Sequence, residues 1–152
     1  MNRLTFFQSA ECVLKTPFCK DNMQHRLIFV ILKATKYFSI TLDMSLINAA
    51  AIGDISLVKS CLSDGDDVNI PNSYGSTALH AAASRGHEDV VWFLLSKANV
   101  NDVDNDGRTA LYLAARKGYT EIVRLLLSSG ANANIIANNG YTALHLAVKQ
   151  GH

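Results

Sequence analysis

No run of apolar residues in this sequence is long enough to cross a bilayer, which takes about 20. The most apolar stretch, Leu27 to Leu32, gives way to Lys33 after six residues. It lies behind Glu11 and Asp21 and does not resemble a secretory signal. Charge of one sign is missing too. Lys and Arg number 14 and Asp and Glu 13, a formal net charge of +1. That balance gives no global electrostatic reason to expect binding to nucleic acid or a membrane, and no nucleic-acid partner is expected. Cysteine is scarce and odd in number: Cys12, Cys19 and Cys61, with no CxxC spacing. This argues against a disulfide framework and against a zinc site. A reducing, intracellular address fits best, cytoplasmic first and nuclear as the alternative. Loops of the GxSxG, Walker, HExxH and GxGxxG kinds are all absent. No catalytic residue, cofactor or metal is therefore expected.

What the sequence does have is repetition. Hydrophobic residues at 49% and charged residues at 18% are enough for an ordinary packed core. The segment Thr77-Ala78-Leu79-His80 returns as Thr109-Ala110-Leu111-Tyr112 and as Thr142-Ala143-Leu144-His145, in steps of 32 and 33. Gly53, Gly86, Gly118 and Gly151 keep the same period, and so do Asn69, Asn101 and Asn134. Three independent series with one period mark a stack of units, each burying its face against its neighbours.

Within a unit the residues read as two short helices. Thr109 to Lys117 is one, with Thr109 capping its first turn and Gly118 suited to the left-handed turn that ends it. Thr120 to Ser129 is the other, with a wide apolar face from Ile122, Val123, Leu125, Leu126 and Leu127. Gly130 ends it, and Asn138-Asn139-Gly140 closes the connection as a turn.

The run Asp104-Asn105-Asp106-Gly107-Arg108-Thr109-Ala110-Leu111-Tyr112-Leu113-Ala114-Ala115, with Gly118-Tyr119 and then Gly130-Ala131-Asn132-Ala133-Asn134, resembles the ankyrin repeat. The resemblance covers about residues 44–152. It implies an all-α solenoid of helix-turn-helix units with hairpin-like loops. The units fall at about 44–73, 74–105, 106–138 and 139–152, making three full units and a fourth that stops after its first helix. The first lacks the Thr-x-Leu-His start, which suits an N-terminal cap.

Three departures from the pattern carry expectations. Ala78, Ala110 and Ala143 stand where the family has Pro, a matter of stability rather than fold. The second unit is one residue short and lacks the Gly that Gly65 and Gly130 supply. So either a non-Gly residue near Lys97 to Asn99 takes the left-handed turn, at about 1 kcal/mol, or the helix ends early. Finally, Leu144, Leu146 and Val148 lack the second helix that would cover them. The preferred expectation is a fragment or truncated product of a longer array; the alternatives are a frayed last helix or a partner that covers them.

Residues 1–43 carry none of the repeat markers. They hold Phe6-Phe7 and six basic residues against three acidic ones. They read as a small extra domain or capping helix, as a basic targeting or membrane-touching segment, or as residues ahead of a true start at Met44.

The histidines and Cys61 are read in register. His80 and His87 are seven apart, but Tyr112 and Tyr119 take both places in the next unit, and Tyr is a poor divalent-metal ligand. The resemblance implies that the motif His hydrogen-bonds neighbouring backbone. Cys61 aligns with Leu94 and Leu126 and reads as a small buried hydrophobe. Asp102, Asp104, Asp106 and Gly107 faintly suggest a calcium loop, but Leu113 stands where its Glu belongs.

The resemblance implies protein binding through the concave side, made of hairpin tips and first helices. Position by position, this gives Ser73, Tyr74, Asn105, Asp106, Asn138 and Asn139 at the tips and Arg108 and Tyr141 after the tip glycines. Arg85, Arg116, Lys117 and Lys149 precede the inter-helix glycines. Arg85, Arg108, Arg116, Lys117 and Lys149 would align as a basic stripe. It is either a solvated face or a groove for a partner with an acidic patch. Trp92 aligns with Lys59 and Arg124; it is an interface anchor, or it packs over Lys97 to Asn99 or under the N-terminal extension, the packed reading being preferred. The function expected is a non-catalytic protein-interaction scaffold. The alternative is a targeting or regulatory module of a larger ankyrin-containing enzyme, channel or effector.

Overall fold

A computed structural model describes residues 45–152. Every expectation for residues 1–43 lies outside the described residues. The described residues form seven helices and no strand: α1 (Leu46–Ile52), α2 (Ile55–Ser63), α3 (Ala78–Arg85), α4 (Glu88–Leu95), α5 (Ala110–Lys117), α6 (Thr120–Ser128) and α7 (Ala143–Gln150). First helices stack on first helices in the order α1, α3, α5, α7, and second helices α2, α4, α6 form the other layer. This is the ankyrin solenoid, with α7 as the lone helix of its fourth unit.

Local chemistry explains each helix. The N-cap threonines Thr77, Thr109 and Thr142 have extended backbones. Thr109 Oγ1 accepts the Tyr112 N–H at 3.1 Å, filling one donor that has no helical partner. His80 and His145 return the favour, each accepting the N–H of its own N-cap threonine on Nδ1 at 3.2 Å. The first unit, without the threonine, uses Ser45, whose Oγ accepts the Asn48 N–H at 3.3 Å.

The inter-helix glycines serve two purposes. Gly86 has φ +85, which ends α3 at no steric cost. A Cβ there would also stand 3.0 Å from the Tyr119 ring of the next unit. Likewise the rings of His87 and His152 cover Gly53 and Gly118. The ring that follows each glycine in sequence thus covers the glycine of the unit before.

The core runs the length of the stack. Leu79, Val90, Val91, Leu94, Ile122 and Leu126 are fully buried, each side chain worth about 1.5–3 kcal/mol of burial. Ala82, Ala83, Ala114 and Ala115 keep the first helices close together. Cys61 is buried among them.

The missing glycine of the second unit is accommodated by the helix. No non-Gly residue among those described has positive φ. Instead α4 ends at Leu95, one residue short of the register in which α2 and α6 end. The carbonyls of Cys61 and Leu126 accept the N–H five residues on, from Asp66 and Ala131, across a glycine in the left-handed conformation. The equivalent Leu94 carbonyl accepts Ala98 N–H, four residues on, at 2.7 Å. The same acceptor is satisfied by a turn one residue tighter, so no left-handed residue is needed.

Two packing expectations need correction. Leu144 and Val148 are uncovered at 69% and 72% exposure, but Leu146 is buried at 6%. It belongs to the core cluster, because α7 turns that side of the helix toward α5. Trp92 does not pack over Lys97 to Asn99; it is 67% exposed on α4, and its other expected cover, the N-terminal extension, lies outside the described residues.

Candidate interaction surface

The hairpin tips are tight turns. Gly75, Gly107 and Gly140 each donate their N–H to the carbonyl three residues back, at 2.9, 2.9 and 2.8 Å. In the first two tips a side chain at the turn's first residue fixes the loop. Asn72 Oδ1 accepts the N–H groups of Tyr74 and Ser76, and Asp104 Oδ1 those of Asp106 and Arg108. In the third tip Ala137 has no such group, and Asn139 Oδ1 accepts the Tyr141 N–H at 3.1 Å instead.

Neighbouring tips are stapled together. Asn105 N–H donates to Tyr74 O at 3.0 Å, and Asn138 N–H to Asp106 O at 2.9 Å. Their side chains repeat the bond: Asn105 Nδ2 reaches Ser73 O and Asn138 Nδ2 reaches Asn105 O, both at 3.0 Å. The amides of Asn105 and Asn138, taken from the sequence as partner contacts, are thus spent on the stack. The second asparagine series does the same work, since Asn69 Oδ1 and Asn101 Oδ1 accept the N–H groups of Asn99 and Asn132 in the following unit.

The basic stripe loses one member. Arg108 binds Asp104 at 2.7 Å and Asp106 at 2.8 Å. Burial by itself would raise the Asp104 pKa, but the hydrogen bonds and charge of Arg108 and the Asp106 N–H bring it below the ordinary carboxylate value. The hydrogen bond that Arg108 donates to Asp104 in turn raises the Arg108 pKa. Arg108 is therefore a neutralised loop brace. Among the described residues Arg85, Arg116, Lys117 and Lys149 enter no ion pair. Lys149 Nζ lies 5.2 Å from the centre of the Tyr141 ring.

His80 has the structural role that the resemblance implies. Its Nδ1 faces Thr77, and its Nε2–H donates to Arg108 O of the next unit at 3.0 Å. Burial lowers its pKa and keeps the ring neutral. His87 Nε2 bonds Ala51 O at 2.9 Å.

Asp106, Arg108, Arg116, Asn138 and Asn139 line one cavity together with Tyr112. Five of these six are among the residues expected from the sequence; the sixth, Tyr112, stands at the motif-histidine position and is not among them. Its signal was that exchange of ring type. Tyr74 stands 74% exposed at the first tip, with Ser73 exposed beside it. Arg85, Lys117 and Tyr141 are exposed on first helices or beside a tip. Trp92 belongs to the second-helix layer, apart from the tip residues.

A family model described as ankyrin repeats, three copies, matches residues 46–137. Among curated proteins, the Notch-regulated ankyrin repeat-containing protein A of Danio rerio is 44% identical over 46 residues, 30% of this chain and 41% of that protein. Apoptosis-stimulating of p53 protein 2 of Homo sapiens is 38% identical over 60 residues, 39% of this chain and 5% of that protein. Potassium channel SKOR of Arabidopsis thaliana is 39% identical over 57 residues, 38% of this chain and 7% of that protein. The chain thus spans about two fifths of the first relative's length and a small part of the other two.

Proposed function

The chain belongs to the ankyrin repeat family, and from that premise we propose that it is a non-catalytic scaffold that binds another protein through its hairpin tips and first helices. Family members generally serve as protein-interaction modules. The observation that carries the reading is how the polar groups divide. One set is spent inside the stack: the N-cap threonines, His80, Asn69, Asn101, Asn105, Asn138 and Asp104. The side chains left over at variable positions are Tyr74, Arg85, Arg116, Lys117 and Tyr141. They sit on a rigid frame, so little ordering is lost when a partner docks. Three unpaired cations among them favour a partner with an acidic patch. An intracellular address, cytoplasmic or nuclear, goes with this reading.

Affinity capture with the full chain tests it. Wild type should retain a defined partner and the R116E/K117E variant should release it. Equal capture by both would reject the basic face.

A second reading has the stack as a targeting or regulatory module of a larger protein. The likeness to a potassium channel and to apoptosis-stimulating of p53 protein 2, which are far longer than the matched stretch, favours it. Sequencing the native transcript past the codon for His152 decides between the two.

A further inference from the structure

The stack contains its own internal control. The third residue of each Thr-capped first helix is His80, Tyr112 and His145. His80 ties its unit to the next through Nε2–H to Arg108 O at 3.0 Å. Tyr112 reaches farther, to the tip, where its hydroxyl accepts Asn139 Nδ2 at 2.7 Å.

The direction of that bond follows from the network. Asn139 Oδ1 is occupied by the Tyr141 N–H, so the amide must present its NH2 to the tyrosine. The hydroxyl is the acceptor, and its own proton has no acceptor among the described residues. Tyr112 is 3% exposed and lines the cavity between the third and fourth units.

The other groups of that cavity divide into spent and unspent. Arg108 and Asp106 are paired with each other at 2.8 Å, and Asn138 Nδ2 is given to Asn105 O. Arg116, half-buried, enters no ion pair among the described residues. One cation and one O–H donor are left facing the same space. The preceding junction has neither: His80 is spent, and Ser84, in the place of Arg116, bonds Ala81 O at 3.0 Å.

We propose that this cavity is an oxyanion subsite, in which Arg116 and the Tyr112 hydroxyl receive a single carboxylate or phosphate of a bound peptide. The proposal rests on the reading of the tips and first helices as a protein-binding face. A cation and a neutral donor converging on one acceptor group suit an anion better than any neutral side chain.

The test begins with a random peptide library selected on the full chain. Selected peptides should share one acidic position, and changing it to Gln or Asn should weaken binding about tenfold. R116Q should match that loss, Y112F should weaken binding severalfold, and R116K should retain most of it. In a double-mutant cycle, the peptide change should cost little once R116Q is present. Replacing the acidic residue by phosphoserine separates the sources: tighter binding assigns a phosphate, weaker binding a carboxylate. Melting midpoints measured alongside confirm that Y112F and R116Q are folded. Binders without a shared acidic position, or an acidic peptide whose affinity R116Q and Y112F leave within twofold, would overturn the subsite while the protein-binding face stands. A library that yields no binder at all would overturn that face and the subsite with it.

Discussion

At the residue scale, two buried polar groups make stability depend on pH and charge. His80 is kept neutral by burial, with its folded pKa below the ordinary 6.5. Below pH 6.5 the unfolded chain takes up a proton that the folded chain refuses, so stability is full above that value and is lost as pH falls through the folded pKa. Urea midpoints measured from pH 7.5 to 5 should therefore drop, and H80Q should flatten the slope. Asp104 braces its tip with two hydrogen bonds to backbone N–H groups and two contacts to Arg108. D104A should cost about 2–3 kcal/mol in chemical denaturation, because it leaves the N–H groups and a half-buried guanidinium without their acceptor. None of this was visible in the list of charges. The sequence placed Arg108 in a free basic stripe, since the pairing of Arg108 with Asp104 and Asp106 depends on a tight turn that brings all three together.

At the scale of the element, caps and turns set the unit's length. The period, the N-cap threonines and the left-handed glycines were legible because each is a local requirement of the backbone. The short second unit was only half legible. The sequence showed that a residue was missing, and the structure chose between a strained turn and a shorter α4. A four-residue closure of the Leu94 carbonyl costs less than a non-Gly residue at positive φ. Comparing glycines isolates the packing component. Gly86 and Gly130 have nearly equal φ, +85 and +87, but a Cβ would meet the Tyr119 ring only at Gly86. G130A should cost about 1 kcal/mol, the backbone share alone, and G86A about 1 kcal/mol more. Equal losses in urea unfolding would show that the ring moves aside freely.

At the scale of the whole molecule, equivalent residues differ by their place in the stack. Leu79, Leu111 and Leu144 share one repeat position, with exposures of 1%, 2% and 69%. L79A and L111A should each destabilise by about 2–5 kcal/mol, and L144A should stay within about 0.5 kcal/mol. Thermal or urea unfolding of the three variants checks this directly. Trp92 is exposed where the sequence favours packing over Lys97 to Asn99, while cover by the N-terminal extension lies outside the described residues. Its register is solvent-facing, as at Lys59 and Arg124, and nothing among the described residues covers it.

The sequence by itself determined the period, the helices with their caps, the buried stripe and the positions that vary. These follow from backbone geometry and apolar spacing within about 33 residues. Only the tertiary structure decided which of the variable side chains are available. An amide is free or spent according to the group that a neighbouring unit sets against it, and a guanidinium according to the turn that folds around it. Asn105 and Asn138 proved to be staples, Arg108 a brace within its own tip and Tyr112 part of a cavity's lining. The partners of the two staples and of Tyr112 are specific atoms held within about 3 Å, and hydrogen bonds at that range between units form only once neighbouring units are stacked.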